Sequence, residues 1–358
     1  MLHRITIRGY KSIERLENFE LRKLNVLIGA NGAGKSNFIS LFRMLSAMTE
    51  GNLQAYVQQQ GGPDSLLFGG GKRTGEVSAE FYFGRNGYRF TLVPTVDNRL
   101  IFKRESTWFT GDFADTETLL GTAHEEAKLQ FSRTAISDYV RPALKAWRIY
   151  HFHDTSDSAP VKRPHPSNDN LRLKPAAENL APYIARLYRD HPEEYERIVE
   201  TIRLAAPFFG GFVIRDPLPD MVQLEWFEKS DPDTARRAHL LSDGTLRFIC
   251  LATLLLQPVQ LLPSTVLIDE PELGLHPYAI NLLGEMLKQT AESRQVIAST
   301  QSVELLNVLA PENVIVTERE ADASVLRRLD PDDLSDWLED YTLGELWKRN
   351  VLGGRPTR

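Results

Sequence analysis

The sequence predicts an α/β fold with a mostly parallel core sheet, an antiparallel β meander and a helical middle insertion. Three observations carry that prediction. Near the N-terminus an apolar run leads into Gly-Ala-Asn-Gly-Ala-Gly-Lys-Ser and then into an amphipathic helix pattern. From Thr265 onward strand and helix patterns alternate in TVLID, HPYAINLLGEMLKQT, QVIAST, VELLNVL and NVIVTE, the order of a parallel sheet with crossover helices. Between these ends, GEVSAEFYFG, GYRFTLVP and RLIFKREST read as consecutive strands of a meander.

The elements follow in order. In LHRITIRGY, Ile5 and Ile7 alternate with Arg4, Thr6 and Arg8, giving a strand with one wet face. LNVLIG is continuous enough in apolar character to be a buried strand. A helix is expected from about Lys35 to Met48, with Phe38, Leu41, Phe42 and Leu45 on one face. Residues 61–75 are Gly-rich and predict a loop. Residues 112–146 are expected to be helical, AWRIYHF to be a strand, and the Pro-rich stretch 154–175 to be loop. Residues 176–206 predict two short helices broken near Pro182 and Pro192, followed by strands at GFVIRDP and MVQLEWFE. The helix after Gly244 is apolar nearly all round, which predicts burial. The last thirty residues, with Trp337 and Trp347, read as small docking helices. No internal repeat and no heptad run is present, so no coiled-coil arm is expected.

Bulk properties narrow the class. The chain has 358 residues, 42% of them hydrophobic and 25% charged, with a formal net charge of −6. That balance argues against a whole-surface nucleic-acid binder but leaves room for local basic patches at RKL, FGGGKRT and RLYRD. Cys250 is the single cysteine, so no disulfide forms within the chain, and its apolar neighbours mark it as a core residue. The longest apolar run, around Phe248–Leu256, falls short of the roughly 20 residues that span a bilayer. The N-terminus lacks the order of a signal peptide. A cytoplasmic protein without a membrane segment is therefore expected.

The chemistry concentrates in two motifs. Gly29-x4-Gly34-Lys35-Ser36 fits the phosphate-binding loop of P-loop NTPases, in the strand–loop–helix context that such a loop requires. Backbone N–H groups from Gly29, Ala30, Asn31, Gly32, Ala33 and Gly34 cradle phosphates, Lys35 reaches the β/γ oxygens, and Ser36 ligands Mg²⁺. TVLIDE is a buried-strand pattern that delivers two carboxylates at its tip. Asp269 is placed in the Mg²⁺ shell and Glu270 is the group that orients or deprotonates an attacking water. A third cluster, IYHFHDTSD, sets His151 and His153 two apart on a strand, with Asp154 and Asp157 after them. It reads either as a metal site or as a loop that contacts the nucleotide edge or a partner.

Read in order, GANGAGKS, LLSDGTLRF, TVLIDEPELGLHP and VIASTQS resemble the ATP-binding-cassette ATPases, and most of all the soluble branch that includes the RecF, SMC and OLD proteins. GYKS before the phosphate loop and GKSN within it, with Asn37, are typical of that branch. The resemblance covers residues 1–50 and 238–320. It implies an ATPase head that takes ATP with Mg²⁺ and releases ADP and phosphate. It also implies two subunits paired head to tail around two ATPs. Ser242, Asp243 and Gly244 then form a signature that faces the γ-phosphate bound on the other subunit. Lys11 and Ser12 approach the nucleotide near its phosphates or base. ELGLHP, with Gly274 and His276, stands at the D-loop, where His276 either faces the partner's nucleotide or simply starts a helix. Gln301 stands where the family usually has His. It is expected to position the γ-phosphate or the water without acid–base work.

The same resemblance divides the chain into four segments. An N-terminal ATPase lobe carries the phosphate loop and meander (1–110), and a helical/β insertion sets specificity (111–235). A C-terminal ATPase lobe holds the signature, strand acids and switch (236–320), and a docking tail follows (321–358). The implied output is an ATP-dependent homodimer acting in DNA transactions, in repair, recombination or anti-phage defence, with an effector protein in trans. The alternative is the ATP-binding subunit of a membrane transporter.

Overall fold

A computed structural model describes residues 1–112 and 114–354. In chain order, β1 (Arg4–Tyr10), β2 (Ile13–Glu20) and β3 (Leu24–Ile28) precede α1 (Lys35–Glu50) and α2 (Leu53–Gln59). Then come β4 (Val77–Phe83), β5 (Asn86–Pro94), β6 (Leu100–Thr110), β7 (Asp115–Gly121), α3 (Ala135–Lys145) and β8 (Trp147–Tyr150). The middle holds β9 (His165–Pro166), α4 (Leu180–Asp190), α5 (Pro192–Ala205), β10 (Phe209–Phe212), β11 (Met221–Val222), β12 (Glu225–Glu228) and β13 (Asp231–Arg237). The chain finishes with α6 (Asp243–Leu256), β14 (Thr265–Asp269), α7 (Pro277–Ser293), β15 (Gln295–Ser299), α8 (Val303–Leu306), β16 (Val314–Glu320), β17 (Ala323–Arg328), α9 (Ser335–Leu338) and α10 (Leu343–Lys348).

Two compact units result: one of residues 1–147, 311–340 and 346–358, the other of 148–310 and 341–345. In the first, β2-β1-β4-β5-β6-β7 form a six-stranded sheet whose pairs are all antiparallel. Beside it, β3 pairs parallel with β16, with Ile28 opposite Val316, and β17 returns antiparallel to β16. Alternation in β4 sends Phe81 and Phe83 inward, where they meet Trp147 with ring centroids 6.0 and 6.1 Å away. Phe42 of α1 reaches the same indole at 5.0 Å, which fixes α1 over the meander. In the second unit β14 and β15 pair parallel, with Asp269 opposite Ser299. There α6 is buried on almost every face, Cys250 included, as its unbroken apolar sequence requires.

Two expectations are corrected. Residues 112–146 are not helical throughout: β7 occupies Asp115–Gly121, and the helical parts among the described residues are a 3-10 turn at Lys128–Gln130 and α3. DTETLLG has no apolar stripe at helical spacing, and its β-branched Thr116 and Thr118 stand opposite Phe109 and Thr107 of β6. Pro182 does not break a helix either. It lies in the first turn of α4, where its missing N–H would have had no partner within the helix. Pro192, by contrast, opens α5.

β6 also carries a buried anchor. Glu105 is fully buried and accepts from the Tyr88 hydroxyl at 2.9 Å and from the backbone N–H groups of Lys128 and Leu129 at 2.8 and 3.1 Å. His124 Nε2 lies 2.8 Å from Oε2, the oxygen that also accepts from the Lys128 N–H, and the imidazole stacks on Phe102. One carboxylate thus pins the chain after β7 to the meander.

Candidate functional site

The phosphate loop lies wholly in the first unit. β3 is buried along its full length and stops at Gly29, and α1 starts at Lys35. Glycine is required at both ends of the loop. A Cβ on Gly29 would lie 2.1 Å from the Thr317 carbonyl oxygen, and one on Gly34, at φ +114°, would lie 2.0 Å from Ser324 Oγ. Gly34 caps α1 without any side-chain hydrogen bond, and the first turn has no acid. The N-terminus of α1 therefore presents backbone N–H groups and the positive end of the helix dipole, an arrangement suited to an anion. Lys35 is 5% exposed, and its ammonium donates to the carbonyls of Gly29 and Ala30 at 2.6 and 3.1 Å. Asn31, Gly32 and Ser36 are exposed.

Lys11, Ser12 and Asn37 converge beside this loop. Asn37 Nδ2 donates to Ser12 Oγ at 2.7 Å, and Ser324 Oγ lies 2.7 Å from the same oxygen and 2.6 Å from the Ala33 carbonyl. Lys11 donates to Gln60 Oε1 at 3.1 Å, and burial, then the Arg43 charge, push its pKa down. These residues edge a cleft of ≈ 680 Å³ that Phe68, Arg73 and Arg319 also line. Arg73, from the Gly-rich stretch, sits 4.4 Å over the Phe68 ring and pairs with Asp322 at 2.8 Å. Of the basic patches read in the sequence, FGGGKRT is thus the one that reaches this cleft.

The carboxylates lie in the second unit. β14 ends at Asp269, whose Oδ1 accepts from Ser299 Oγ at the end of β15. Glu270 follows in the left-handed region at φ 44°, a strained conformation for a non-glycine residue. Its N–H donates to the Ser299 carbonyl at 3.0 Å, and its Oε1 accepts from Gln301 Nε2 at 2.5 Å. The Gln301 N–H in turn donates to Glu272 Oε1 at 2.9 Å. Glu272 Oε2 is buried, and desolvation raises the pKa of this carboxyl, opposed in part by the Thr300 hydroxyl and the Gln301 N–H.

The LLSDGTLRF stretch packs near this cluster. Ser242 is exposed and caps α6, accepting from the Thr245 N–H at 3.2 Å. A Cβ on Gly244 would lie 2.5 Å from the Gly274 carbonyl oxygen, so the start of α6 approaches the ELGLHP loop closely. Arg247, one turn on, donates to the carbonyls of Leu273 at 2.8 Å, His153 at 2.9 Å and Phe152 at 3.1 Å. Asp243 and His276 are exposed; His276 caps α7 through Nδ1, which accepts from the Tyr278 N–H at 3.3 Å, with Pro277 at the first helical position.

His151 and His153 depart from the strand expectation, because β8 ends at Tyr150. Their rings lie 6.3 Å apart. His153 Nε2 sits 2.8 Å from the Asp269 carbonyl oxygen, so its N–H donates there and buttresses β14. Among the described residues no group of three or more His, Cys, Asp or Glu side chains is arranged to hold a metal ion.

Several residues at these sites have no expectation behind them. Ser299 and Arg247 sit inside motifs that point to the site, in VIAST and LLSDGTLRF. Glu272 is the second acid of DEPE. Ser324 has no local signal: it reaches the phosphate loop because β17 folds back along β16.

A family profile described as "AAA domain, putative AbiEii toxin, Type IV TA system" matches residues 24–307. An SMC head bound to the C-terminal winged-helix domain of ScpA superposes with TM-score 0.61 at 15% identity, covering 94% of this chain and 99% of that one. An SMC head with an extended coiled coil, bound to the ScpA C-terminal domain and derived from Pyrococcus furiosus, gives TM-score 0.57 at 14% identity over 95% and 98%. At these identities the likeness is one of fold. No curated protein matches the sequence.

Proposed function

The chain belongs to the AAA-domain family described as putative AbiEii toxin of type IV toxin–antitoxin systems, with an SMC-head fold, and from this premise we propose that it hydrolyses ATP to drive closure of a homodimer. The observation that carries the reading is the loop from Gly29 to Ser36: Gly29 and Gly34 leave no room for a side chain, its helix N-terminus has no side-chain cap, and Lys35 lies along its carbonyls. Phosphate oxygens offer Lys35 stronger, charge-assisted partners than the two carbonyls it now holds.

The residue types suit Mg²⁺, which takes oxygen ligands: the resemblance assigns it the Ser36 hydroxyl, exposed at the start of α1, and the Asp269 carboxylate, which accepts from Ser299 Oγ. A Mg²⁺ ion held there would supply charge neutralisation to the triphosphate. Glu270, aimed by its strained backbone and by Gln301, orients the attacking water and accepts its proton. Gln301 supplies a neutral donor that can pass between Glu270 and the γ-phosphate. Ser242 and the first turn of α6 supply donors to the nucleotide of the second copy, so turnover needs the pair. His276 faces the partner's nucleotide across the D-loop.

The downstream role follows the resemblance: DNA transactions or defence, with an effector in trans. The family description names a toxin of a toxin–antitoxin system, and the SMC heads of similar fold are described with bound ScpA, so a protein partner is the expected output. Among the described residues no helix is long and apolar enough to cross a membrane. Phosphate release with Mg-ATP tests the core of the proposal. Wild-type protein should turn over, and Lys35→Ala should neither bind the triphosphate nor release phosphate. Turnover by Lys35→Ala at the wild-type rate would refute it.

A further inference from the structure

The chain's C-terminal segment reaches the first glycine of the phosphate loop. After α10 the backbone hooks back, with the N–H groups of Asn350 and Val351 donating to the carbonyls of Trp347 and Leu346, both at 2.9 Å. Leu346 and Leu352 are buried, at 0% and 1% exposure, and Arg327 of β17 donates to the Leu352 carbonyl at 3.0 Å. Gly353 and Gly354 follow at φ +80° and +79°. The Gly354 N–H donates to Glu318 Oε1 at 2.7 Å. A Cβ on Gly354 would lie 3.1 Å from Val316 Cγ1 and 3.3 Å from Gly29 Cα. The hook therefore ends in glycine-to-glycine contact with the phosphate loop, anchored by a carboxylate of the strand that pairs with β3.

Gly29 is the point where this contact matters. Its carbonyl is one of the two that hold Lys35, and the space where a side chain would point is filled by Thr317. The tail closes a further approach, at Gly29 Cα. A loop that binds phosphate through backbone N–H groups must hold their directions to within about 0.5 Å and 10–20°. A packed neighbour at its first residue limits its freedom before the ligand arrives.

We propose that Leu346–Gly354 is a brace on the phosphate loop, and that its seating on Gly29 through Glu318 sets triphosphate affinity. This rests on the reading of Gly29–Ser36 as an ATP site. It makes any partner or chain extension that pulls on the tail a regulator of nucleotide binding. No role of this kind follows from the four motifs, because the contact joins residues 325 positions apart in sequence.

The test uses the full chain and three variants. Gly354→Val places a β-branched residue at φ +79° against Val316 and Gly29. Glu318→Ala removes the acceptor for the Gly354 N–H, and Glu318→Gln keeps one. Hydrogen exchange of the amides at 29–34 without nucleotide is read beside titration with a fluorescent ATP analogue. The brace predicts loop exchange about tenfold faster in Gly354→Val and Glu318→Ala, with wild-type exchange in Glu318→Gln. It predicts affinity about tenfold weaker in the same two variants, at unchanged protection of β4–β6. If the tail amides exchange faster in both variants while the loop and the affinity stay at wild-type values, the brace is refuted. Should wild-type protein bind no triphosphate, the ATP reading fails instead, and the exchange arm still decides whether the tail holds the loop.

Discussion

Gln301 Nε2 donates to Glu270 Oε1 at 2.5 Å, while the Gln301 backbone N–H is held by Glu272. The amide that stands in the family's histidine position is thus coupled directly to the candidate base. Glu270 itself sits at φ 44°, and the hydrogen bond selects its side-chain direction. An amide cannot store a proton, so in the proposed mechanism Gln301 would act by orientation.

Gln301→Ala should therefore lower the turnover number about tenfold to a hundredfold with little change in KM, because orientation of the base is lost and ground-state binding is not. Steady-state phosphate release over a range of ATP concentrations measures both. A rise in KM at unchanged turnover would place Gln301 in nucleotide binding instead.

Ser242→Arg should leave nucleotide binding by the monomer intact and reduce turnover by about a hundredfold or more, since the side chain is exposed at the N-terminus of α6 and faces the other copy in the proposed dimer. The lost cap should cost about 1 kcal/mol, too little to unfold the domain. Equilibrium binding of an ATP analogue and turnover, measured on one preparation, separate the two effects.

Glu272 gives a pH prediction. Burial raises its pKa, so the folded protein binds a proton there more tightly than the unfolded chain does. The stability this contributes is complete below the ordinary carboxylate range and is lost as pH rises through the raised value. Wild-type melting temperature should fall over that window. Glu272→Gln should flatten the fall and be the more stable protein at neutral pH, because no buried carboxylate remains to ionise. Thermal melts from pH 4 to 8 compare the slopes.

Glu105→Ala should destabilise the first unit by about 3 kcal/mol, as it strands the Tyr88 hydroxyl, His124 and two backbone N–H groups in a dry interior. Melting temperature with and without ATP reports it.

The parts legible in the sequence are those whose chemistry is local. The phosphate loop announces itself because glycines, Lys35 and Ser36 are contiguous and bounded by a strand and a helix. Ser242 caps α6, a role that its residue type and its place before an apolar helix are enough to specify. TVLID reads as a buried strand because both faces of β14 are covered. What the sequence hid depends on topology. Ser324 meets Ser12 and Ala33 through β17, and Arg247 links α6 to the ELGLHP loop through backbone carbonyls that carry no sequence signature. The strand at Asp115–Gly121 was hidden for another reason: an exposed edge strand lacks the alternation that marks a half-buried one, and only its pairing with β6 defines it.

The central claim is that the working unit is an ATP-closed pair of chains. Light scattering of Glu270→Gln tests it most directly, because loss of the base holds the bound nucleotide uncleaved. With Mg-ATP the mass should double from that of the 358-residue monomer, and with Mg-ADP it should not. A variant that binds ATP yet keeps the monomer mass at saturating nucleotide would contradict the account.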